Sequence, residues 1–516
     1  MKKIFFITTF IASTVVANAQ EPADALRFAW NAQSGTARQQ AVGGAMGSLG
    51  GDLSATFVNP AGLGFYKTGD FVFTPAYNLG NTKSTYFGKT DDKQKKNNFG
   101  FGTSGIVFGT GNMKNGRGSR GSAFSLAINR NASFGNTISY IGLNNKSSYS
   151  QKFLEEIRNN NDKDANSVAS NYSYGTSLAF NTYWIDTIAG GTSGNYQFQT
   201  RATIGTGLIQ RQQIMNKGGT TELALGGATN LNDKLYFGGS LGVSFLDYSR
   251  TSTFDEADAT TNLNNKFDFA TFNESLSTKG VGFIIRAGLI YKPVERVRLG
   301  FALHSPTFLS LTDNYSSDIT TSTENYKGEL NQTSEFLSGF TKATFKYTLQ
   351  TPYKIIGSAS YVLHEVENVK KQKGFLTADI EYVNYKASKF DPTQEDLDNQ
   401  STVNYLKQLN KAIDKAYKGT FNFRAGGELK FTTIMARLGA AYYGNPYKSI
   451  VGEKGSKFQA SGGLGYRNKG FFVDVTYIHT FGKDVHTPYR LQSGLTPLAT
   501  IKSNTGNAIL TVGFKI

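Results

Sequence analysis

Charged side chains recur at fixed spacing inside runs of alternating apolar residues, and they are the first candidates for chemistry. In the stretch FLTADIEYVNY, Asp379 and Glu381 share one parity, while Leu376, Ala378 and Ile380 occupy the other. Charged residues whose parity is opposite to that of the apolar residues in their runs are Arg286, Arg298, Lys354, Asp379, Glu381, Arg424, Glu428, Arg437 and Asp474. Positively and negatively charged side chains occur in neighbouring runs. These charges either form an internal network of ion pairs, or some of the cations bind the acidic head group of a ligand.

The residue types give little support for nucleophilic catalysis or for metal binding. The chain has no cysteine and four histidines, so thiolate catalysis and disulfides are excluded. His304 and Ser305 are adjacent, but a Ser-His site needs a third group that orients the histidine, and none is apparent. Histidine and tyrosine can ligate haem iron, yet no spacing supports such a site. We predict no enzyme activity, no metal and no cofactor.

The elements that must position these charges are β-strands, because the runs have a period of two. Fourteen runs occur, at residues 71–79, 99–108, 122–131, 220–230, 235–249, 281–293, 297–303, 353–362, 375–385, 421–430, 436–443, 458–466, 471–479 and 509–516. From the fourth run onward, the connections tend to alternate between short and long. Barrels of the outer membrane have short periplasmic turns and long outer loops.

The two faces of the runs differ as contact with lipid requires. In FFVDVTYIH, Phe471, Val473 and Val475 share one parity, and Asp474 and Thr476 the other. A Lys or Arg at the lipid midplane costs about 2–4 kcal/mol, so charges belong on the lumen side. An even strand count lets a barrel close without an unpaired edge. The sequence predicts an all-β fold, a 14-stranded antiparallel transmembrane β-barrel over residues 69–516.

The chain begins with the pattern of a secretory signal peptide. A positive start at Met1–Lys3 precedes an apolar run over residues 4–16 and an Ala17-Asn18-Ala19 cleavage site. No later segment approaches about 18 consecutive apolar residues, the length that a membrane helix needs. Residues 1–19 are therefore expected to direct export through the Sec route, and the barrel to reside in the outer membrane of a Gram-negative cell.

The net charge of +16 raises the question of nucleic-acid binding. Lys and Arg are scattered through polar loops, for example over residues 89–96, and no basic helix or binding module is present. Basic loops that face an anionic outer leaflet explain the charge more simply. We therefore expect membrane lipid and lipopolysaccharide as partners, no nucleic acid, and a monomer.

The segment before the first strand, residues 20–68, differs from the strands. ADALRFAWN is helix-like, and the rest is rich in small residues. Asp52 can cap a short helix that begins at Leu53. Pro60 ends that helix with Asn59 extended before it, and Gly62 and Gly64 permit turns. A segment this short cannot form its own core and needs a cavity, which the lumen supplies. It is therefore expected to lie in the lumen.

Two connections carry helical patterns. Residues 132–219 read as a large, partly helical outer excursion that could also hide a strand pair. Residues 401–417 place Leu406, Leu409, Ile413 and Ala416 on one helical face, which suits packing in a loop cluster or capture of an apolar ligand.

A family resemblance enters at the N-terminal segment. TARQQAVGGAMGSLGGDLSATFVNPAGLGFYKTGDFVFTPAY is similar to the N-terminal signature of the FadL/TodX outer-membrane transporters of hydrophobic compounds, in their Bacteroidetes-type branch. RVRLGFALHSPTF, ADIEYVNY, FRAGGELKF and ARLGAAYYGNP extend the resemblance along the chain. It implies a fourteen-stranded barrel plugged by an N-terminal hatch, which is expected over residues 20–68 with Asp52, Asn59, Pro60, Ala61 and Gly62 as gating residues. No substrate-binding residue can be carried over, because the family's ligand-contacting cations lie in variable regions.

The resemblance also implies a function. The chain would be a passive channel for long-chain fatty acids or aromatic hydrocarbons, opened when the ligand moves the hatch, with exit through the barrel wall or into the periplasm. A haem or other hydrophobic-ligand receptor is one alternative. A lipase-like barrel enzyme is an alternative of another class.

Overall fold

The fold is that of a computed structural model, which describes residues 22–30, 34–91, 94–111, 113–115, 118–364, 373–448 and 455–516. The signal peptide expected at residues 1–19 lies outside the described residues. Within the described ranges, no α-helix is both long and apolar enough to cross a membrane.

Fourteen strands form one antiparallel sheet, which confirms the predicted strand count. In chain order they are β1 (Asp70–Phe73 and Pro75–Tyr86), β2 (Gln94–Phe101 and Ser104–Gly109), β3 (Gly118–Ser133 and Asn136–Asn144), β4 (Leu208–Leu231), β5 (Leu235–Asp258), β6 (Phe269–Val294), β7 (Val297–His304 and Phe308–Ser322), β8 (Ala343–Gln350 and Lys354–Leu363), β9 (Gly374–Asn384), β10 (Gly419–Phe431), β11 (Ile434–Tyr443), β12 (Lys457–Asn468), β13 (Phe471–His486) and β14 (Ala499–Lys515). The barrel closes at β14, where Phe514 pairs with Phe471 on β13 and with Phe71 on β1.

The faces of the strands match the predicted parity. Leu376 and Ile380 on β9 are 56% and 44% exposed, whereas Asp379 and Glu381 are 3% exposed each. The outward side chains form an apolar belt, and the inward ones line the lumen. A closed sheet with such a belt satisfies its backbone internally, as a membrane requires.

The strands extend further toward the long-loop end than predicted. β5 continues to Asp258 rather than residue 249, and β6 begins at Phe269 rather than residue 281. Backbone pairing holds this region together, from Leu246 opposite Gly280 to Ala257 opposite Phe269. Beyond the lipid belt both faces carry polar residues, as in RTSTFDEAD, so apolar alternation no longer marks a strand there.

Five strands are interrupted part-way along their length. β1 breaks at Thr74, β2 at residues 102–103, β3 at residues 134–135, β7 at residues 305–307 and β8 at residues 351–353. The breaks in β7 and β8 lie side by side and each contains a proline, which cannot donate to a strand ladder. Thr307 and Thr351 join the two breaks, with Thr351 N donating to Thr307 O at 3.0 Å.

The long-loop end is capped by folded connections. Residues 145–207 hold α4 (Ser150–Asn159), α5 (Ala165–Ser170), α6 (Thr176–Asn181) and a strand pair, Ile185–Thr187 with Phe198–Thr200. The predicted excursion is therefore helical and does hide a strand pair, but it is shorter than residues 132–219. The side chain of Glu256 ties this cap to the barrel, accepting hydrogen bonds from Tyr149 N at 3.1 Å and Gln210 Nε2 at 2.7 Å.

The helix expected at residues 401–417 is α8 (Gln400–Ala416), and it buries Leu406, Leu409 and Ile413 as predicted. The connection between β7 and β8 contributes a short helix, α7 (Ser334–Leu337).

The N-terminal segment lies inside the barrel. The helix α1 (Pro22–Ala29) sits toward the long-loop end, against α8. Residues 34–69 fill the short-turn half through α2 (Ala37–Ala41), α3 (Ala55–Val58) and a 3₁₀ helix (Pro60–Phe65). We call residues 34–69 the insert. Its chain is buried almost throughout.

Candidate ligand passage in the lumen

Most charges singled out by the sequence meet a partner of opposite sign in the lumen. Arg424 pairs with Glu381 at 2.7 Å. Arg437 pairs with Glu428 at 2.6 Å and with Asp474 at 2.5 Å. These side chains are buried, and such pairs lose solvation that only good geometry restores. The network expected for the lumen is present at these positions.

Among the partners that sequence reasoning missed is Glu222 on β4. Arg286 donates from Nη1 to Glu222 Oε1 at 2.5 Å and from Nη2 to Oε2 at 2.8 Å. This two-bonded geometry is the strongest form of an arginine–carboxylate pair. The sequence does contain the signal that places Glu222 in the lumen, because its parity is opposite to that of Leu223 and Leu225, which face outward.

Two of the predicted charges hold the insert. Asp379 Oδ2 accepts hydrogen bonds from Met46 N and Gly47 N, each at 3.1 Å. The Arg298 guanidinium donates to Leu49 O and lies over the Phe65 ring at 4.6 Å. These side chains therefore form hydrogen bonds with the backbone of the insert and hold it to the barrel wall.

The Asn59–Pro60 turn is docked on the wall by the Asn59 amide. Its Nδ2 donates to Gly47 O at 2.6 Å and to Leu289 O at 3.2 Å, and its Oδ1 accepts from Ala61 N at 3.2 Å. Asn59 is extended, with φ −143° and ψ 99°, as expected before proline. The turn is thus joined both to the insert and to β6.

Glycines in the wall make room for this turn, and sequence reasoning did not single them out. A Cβ on Gly288 would lie 1.8 Å from Asn59 Oδ1, and one on Gly238 would lie 2.3 Å from Pro60 C. One on Gly300 would lie 2.3 Å from Gly47 O. No Cβ tolerates such contacts, so these wall positions require glycine for close approach of the insert.

The other predicted hatch residues need two corrections. The helix begins at Ala55 rather than Leu53, because Asp52 Oδ1 accepts from Ser54 N at 3.0 Å and holds residues 53–54 in a turn. Gly62 and Gly64 lie within the 3₁₀ helix and not at turns of positive φ. Their lack of a side chain serves close packing, since a Cβ on Gly62 would lie 2.9 Å from Ala55 Cβ.

His304 and Ser305 do not bond to each other. His304 Nε2 donates to Val58 O of the insert at 2.8 Å, which fixes its tautomer. Ser305 Oγ accepts from Ile285 N at 3.0 Å and donates to Pro306 O at 2.8 Å. In the described residues, no group of three or more His, Cys, Asp or Glu side chains is arranged to hold a metal ion.

Lys354 lies on a small cavity between α1 and the insert. The cavity has a volume of about 90 Å³ and is bounded by Phe28, Phe57, Arg286 and Glu381 among others. Of the five lumen cations named above from the sequence, Lys354 differs in its contacts. Among the described residues, its ammonium has no hydrogen-bond acceptor and no carboxylate oxygen within 4.0 Å.

A larger groove, of about 650 Å³, lies on the outside of the barrel. Its floor is a row of alanines in register across four strands, and exposed Phe423 and Phe458 stand at its edge. The row comprises Ala359, Ala378, Ala425 and Ala440. This groove faces lipid and is separate from the lumen.

Above the cavity, α1 packs into an apolar cluster. Its Ala25, Leu26, Phe28 and Ala29 join Leu246, Leu276, Leu309, Leu349 and the buried face of α8. Tyr417 Oη also donates to Pro22 O at 3.0 Å. The long-loop half of the lumen is therefore apolar and filled by α1, whereas the insert below it is held by hydrogen bonds.

The wall has an unpaired stretch beside α1. The first segment of β2 pairs with β1, and the second segment of β3 pairs with β4. In the described ranges, no backbone pairing joins these two segments to each other. Phe134, at the break in β3, packs on Phe28 of α1 at 5.8 Å and on Tyr248 at 5.4 Å between ring centroids.

The fold and the lumen together define a transmembrane β-barrel with an internal N-terminal insert. No family model and no curated protein matches the chain. Solved structures do match it over most of their length. A FadL homologue of Pseudomonas aeruginosa is 13% identical with a TM-score of 0.53, covering 94% of this chain and 99% of that one.

The toluene transporter TodX of P. putida is 12% identical with a TM-score of 0.52, covering 94% of this chain and 99% of that one. A TodX monoaromatic hydrocarbon channel deltaS2 mutant is 13% identical with a TM-score of 0.51, covering 94% and 100%. At such low identity the likeness concerns the fold. The chain therefore has the barrel fold of FadL/TodX-type transporters, which confirms the predicted fold class.

Proposed function

We propose that this chain is an outer-membrane channel for passive entry of hydrophobic small molecules, either long-chain fatty acids or aromatic hydrocarbons. The observation that carries the proposal is the division of the lumen. Its long-loop half is lined by apolar residues around α1, and its short-turn half is closed by the insert. A route of this kind admits apolar solutes and blocks free diffusion of polar ones.

Gating in this proposal is movement of the N-terminal segment, residues 20–68, when ligand binds. The turn formed by Asn59, Pro60, Ala61 and Gly62 must shift, together with Asp52, for the short-turn half to open. The names of the neighbours, a FadL homologue and a toluene transporter, support the same function. The Bacteroidetes-type assignment, the monomeric state, the contact with lipopolysaccharide and export by the signal peptide remain predictions from the sequence.

Lateral exit is supported by the unpaired stretch between β2 and β3. Free backbone groups are costly in lipid, so an unpaired stretch of wall is tolerated where it lines a passage. We therefore favour release of the ligand into the membrane at this level over release into the periplasm.

A crosslink tests the gating directly, because the chain has no cysteine of its own. Ser48 of the insert and Ser358 of β8 lie with their hydroxyl oxygens 2.8 Å apart. In cells that carry only the Ser48→Cys/Ser358→Cys variant, oxidation should stop uptake of labelled palmitate and toluene, and reduction should restore it. Each single cysteine variant is the matched control. Uptake that is equal with the crosslink formed would reject gating by the insert. Equal uptake by cells lacking the protein would reject the transport function.

A further inference from the structure

We infer that the outside of the barrel carries a binding site for the phosphate groups of an outer-leaflet lipid, lipid A of lipopolysaccharide, formed by lysines on β13, β14 and β1. This inference goes beyond the proposed function, because it concerns the outer surface at the long-loop end and does not depend on what passes through the lumen. The site is carried by strands on one side of the wall, and not by the loops from which a general attraction to an anionic leaflet is expected.

Three lysines lie side by side in the sheet and form what we call the lysine row. Lys502 on β14 is directly opposite Lys83 on β1 and directly opposite Lys483 on β13. All three are exposed, and they have the parity of the outward-facing residues on their strands. Directly opposite residues on one face have Cβ atoms about 5 Å apart, and like charges at that spacing destabilise a sheet. The row is therefore unfavourable unless an anion from outside the protein lies between the ammonium groups.

Acidic side chains of the described residues do not neutralise the lysine row. In the described part of the chain, none of its three ammonium groups has a carboxylate oxygen within 4.0 Å. Asp484, which follows Lys483 in the sequence, has the opposite parity. Other exposed lysines at the long-loop end do have acidic partners, and these pairs are Lys346–Glu395 at 3.3 Å, Lys386–Asp414 at 3.0 Å and Lys389–Asp391 at 2.8 Å. The lysine row differs from these pairs because its counter-ion must come from outside.

The lysine row lies just above the apolar belt, at the level of lipid head groups. Phe481 lies ten residues beyond Phe471 on β13, which corresponds to a rise of about 25 Å in a strand tilted by about 40°. The apolar band of such barrels is about 25 Å tall and ends in a girdle of aromatic residues. Phe481 stacks with Phe458 of β12 at 6.4 Å between ring centroids, and Lys483 follows two residues later. A head group anchored in the outer leaflet therefore reaches the row from the side.

The residues around the lysine row suit phosphate. Toward the belt, Asn504 on β14 is opposite Asn81 on β1, which is also opposite the exposed Lys95 on β2. Away from the belt, Thr500 on β14 is opposite Thr85 on β1. These amide and hydroxyl groups can donate hydrogen bonds to phosphate oxygens. A phosphate monoester carries about 1.5–2 negative charges at neutral pH, so it can bridge neighbouring lysines, whereas a carboxylate or a phosphodiester carries a single charge.

Native mass spectrometry of the purified full-length protein in detergent, titrated with diphosphorylated lipid A, measures this binding. The parent protein should form a saturable one-to-one complex. The Lys83→Gln/Lys483→Gln/Lys502→Gln variant should bind roughly 100-fold more weakly, at about fivefold for each lysine beside an anionic lipid surface. The matched control is Lys346→Gln/Lys386→Gln/Lys389→Gln, which loses the same charge at the same end of the barrel from lysines that have acidic partners. It should bind like the parent protein.

Stability without and with lipid A gives a second measurement. The folded barrel runs as a compact band on a detergent gel without heating, which we call the barrel band, and the temperature at which this band is lost reports unfolding. Without lipid A, the lysine-row variant should keep its band to at least the temperature of the parent protein, because a row of like charges has been removed. Added lipid A should raise the temperature for the parent protein and for the control variant, but not for the lysine-row variant.

The outcomes separate this inference from the proposed function. Equal binding of the parent protein to lipid A and to its dephosphorylated form, or to phosphatidylglycerol, overturns the phosphate site, even if the lysine-row variant does not fold. An equal loss of binding in the control variant shows attraction by net charge alone and overturns it as well. If uptake of palmitate and toluene depends on the protein but lipid A binding does not depend on the lysine row, only the present inference fails. If lipid A binds as expected and uptake does not depend on the protein, only the transport function fails.

Discussion

Replacing Gly288 by alanine should unseat the Asn59–Pro60 turn while leaving the barrel folded. The new Cβ would lie 1.8 Å from Asn59 Oδ1 and 3.2 Å from Pro60 Cδ. The Asn59 amide cannot simply rotate away, because its Nδ2 is bonded to Gly47 O, Leu289 O and Phe301 O. The turn must therefore leave the wall, and these hydrogen bonds must break.

The change in the free-energy difference between the seated and the displaced turn follows from the hydrogen bonds that break. Two to three neutral hydrogen bonds contribute about 2–3 kcal/mol in total, so the equilibrium between the seated and the displaced turn shifts roughly 30- to 150-fold. Displacement of the turn removes the clash with the new Cβ. The rest of the insert stays attached to the wall through Asp379 and Arg298. We expect a leaky closed state rather than an unfolded protein.

Conductance of single channels in planar bilayers measures the leak. Gly288→Ala should raise open events well above those of the parent protein, and Gly227→Ala should not, because a Cβ at Gly227 meets its nearest atom, Ala123 O, only at 3.9 Å. In the double variant with Asn59→Ala, the glycine change should add little, since the clashing amide is gone. Parent-like conductance for Gly288→Ala, or full additivity with Asn59→Ala, would refute the reasoning.

Three further predictions concern charge, stability and the wall. Glu256 lies on β5 beneath the cap, beyond the lipid belt, and burial raises its pKa from 4.5 to about 7 although several groups donate hydrogen bonds to its carboxylate. The folded state thus holds this proton more tightly, so the cap should be most stable below about pH 4.5 and lose about 3 kcal/mol as the pH rises past 7. Glu256→Gln should flatten that decline in melting temperature; an unchanged pH profile would contradict it. Arg437→Met leaves Glu428 and Asp474 with only their longer contacts, to Arg38 at 3.7 Å and to Arg467 at 3.9 Å, and should cost about 3 kcal/mol. The heat-shift temperature of the barrel band should fall accordingly, and an unaltered temperature would count against the ion pairs. Phe134→Ala removes a ring that packs on α1, so acrylamide should quench Trp30 more strongly; equal quenching would rule out Phe134 as a support of α1.

The lipid belt could be predicted from the sequence, because lipid imposes the same requirement on every strand. Leu376 and Ile380 alternate with Asp379 and Glu381, and that alternation alone places the former outside and the latter in the lumen. The strand ends could not be predicted in the same way. From residue 250 to Asp258, polar residues occur on both faces of β5 although Ser252, Phe254 and Glu256 are buried, and the backbone pairing with β6 leaves no trace in residue type.

The partners of the lumen charges could be predicted only in part. The parity of Arg437 and Asp474 indicates a shared face, but their contact depends on strand register, which the spacing of residues in one strand does not contain. The isolation of Lys354 is still harder to predict, since it requires the positions of Glu222 and Arg424 on other strands. The wall glycines could not be predicted for the same reason. Glycine is required at position 288 by the close approach of Asn59, which lies far away in sequence.

The two parts of the N-terminal segment are held by different forces, and this difference favours apolar ligands. The insert is bonded to inward side chains around the barrel, including Thr377, Asp379, Ser461 and Thr476. At about 1 kcal/mol each, such bonds resist an apolar molecule, which offers no replacement for them. The helix α1 is held largely by burial of apolar side chains, worth about 1.5–3 kcal/mol for each Leu or Phe. Under the proposed function, a hydrophobic solute would take over that burial and a polar solute would not, so we expect the first step of entry to be selective before any movement of the insert.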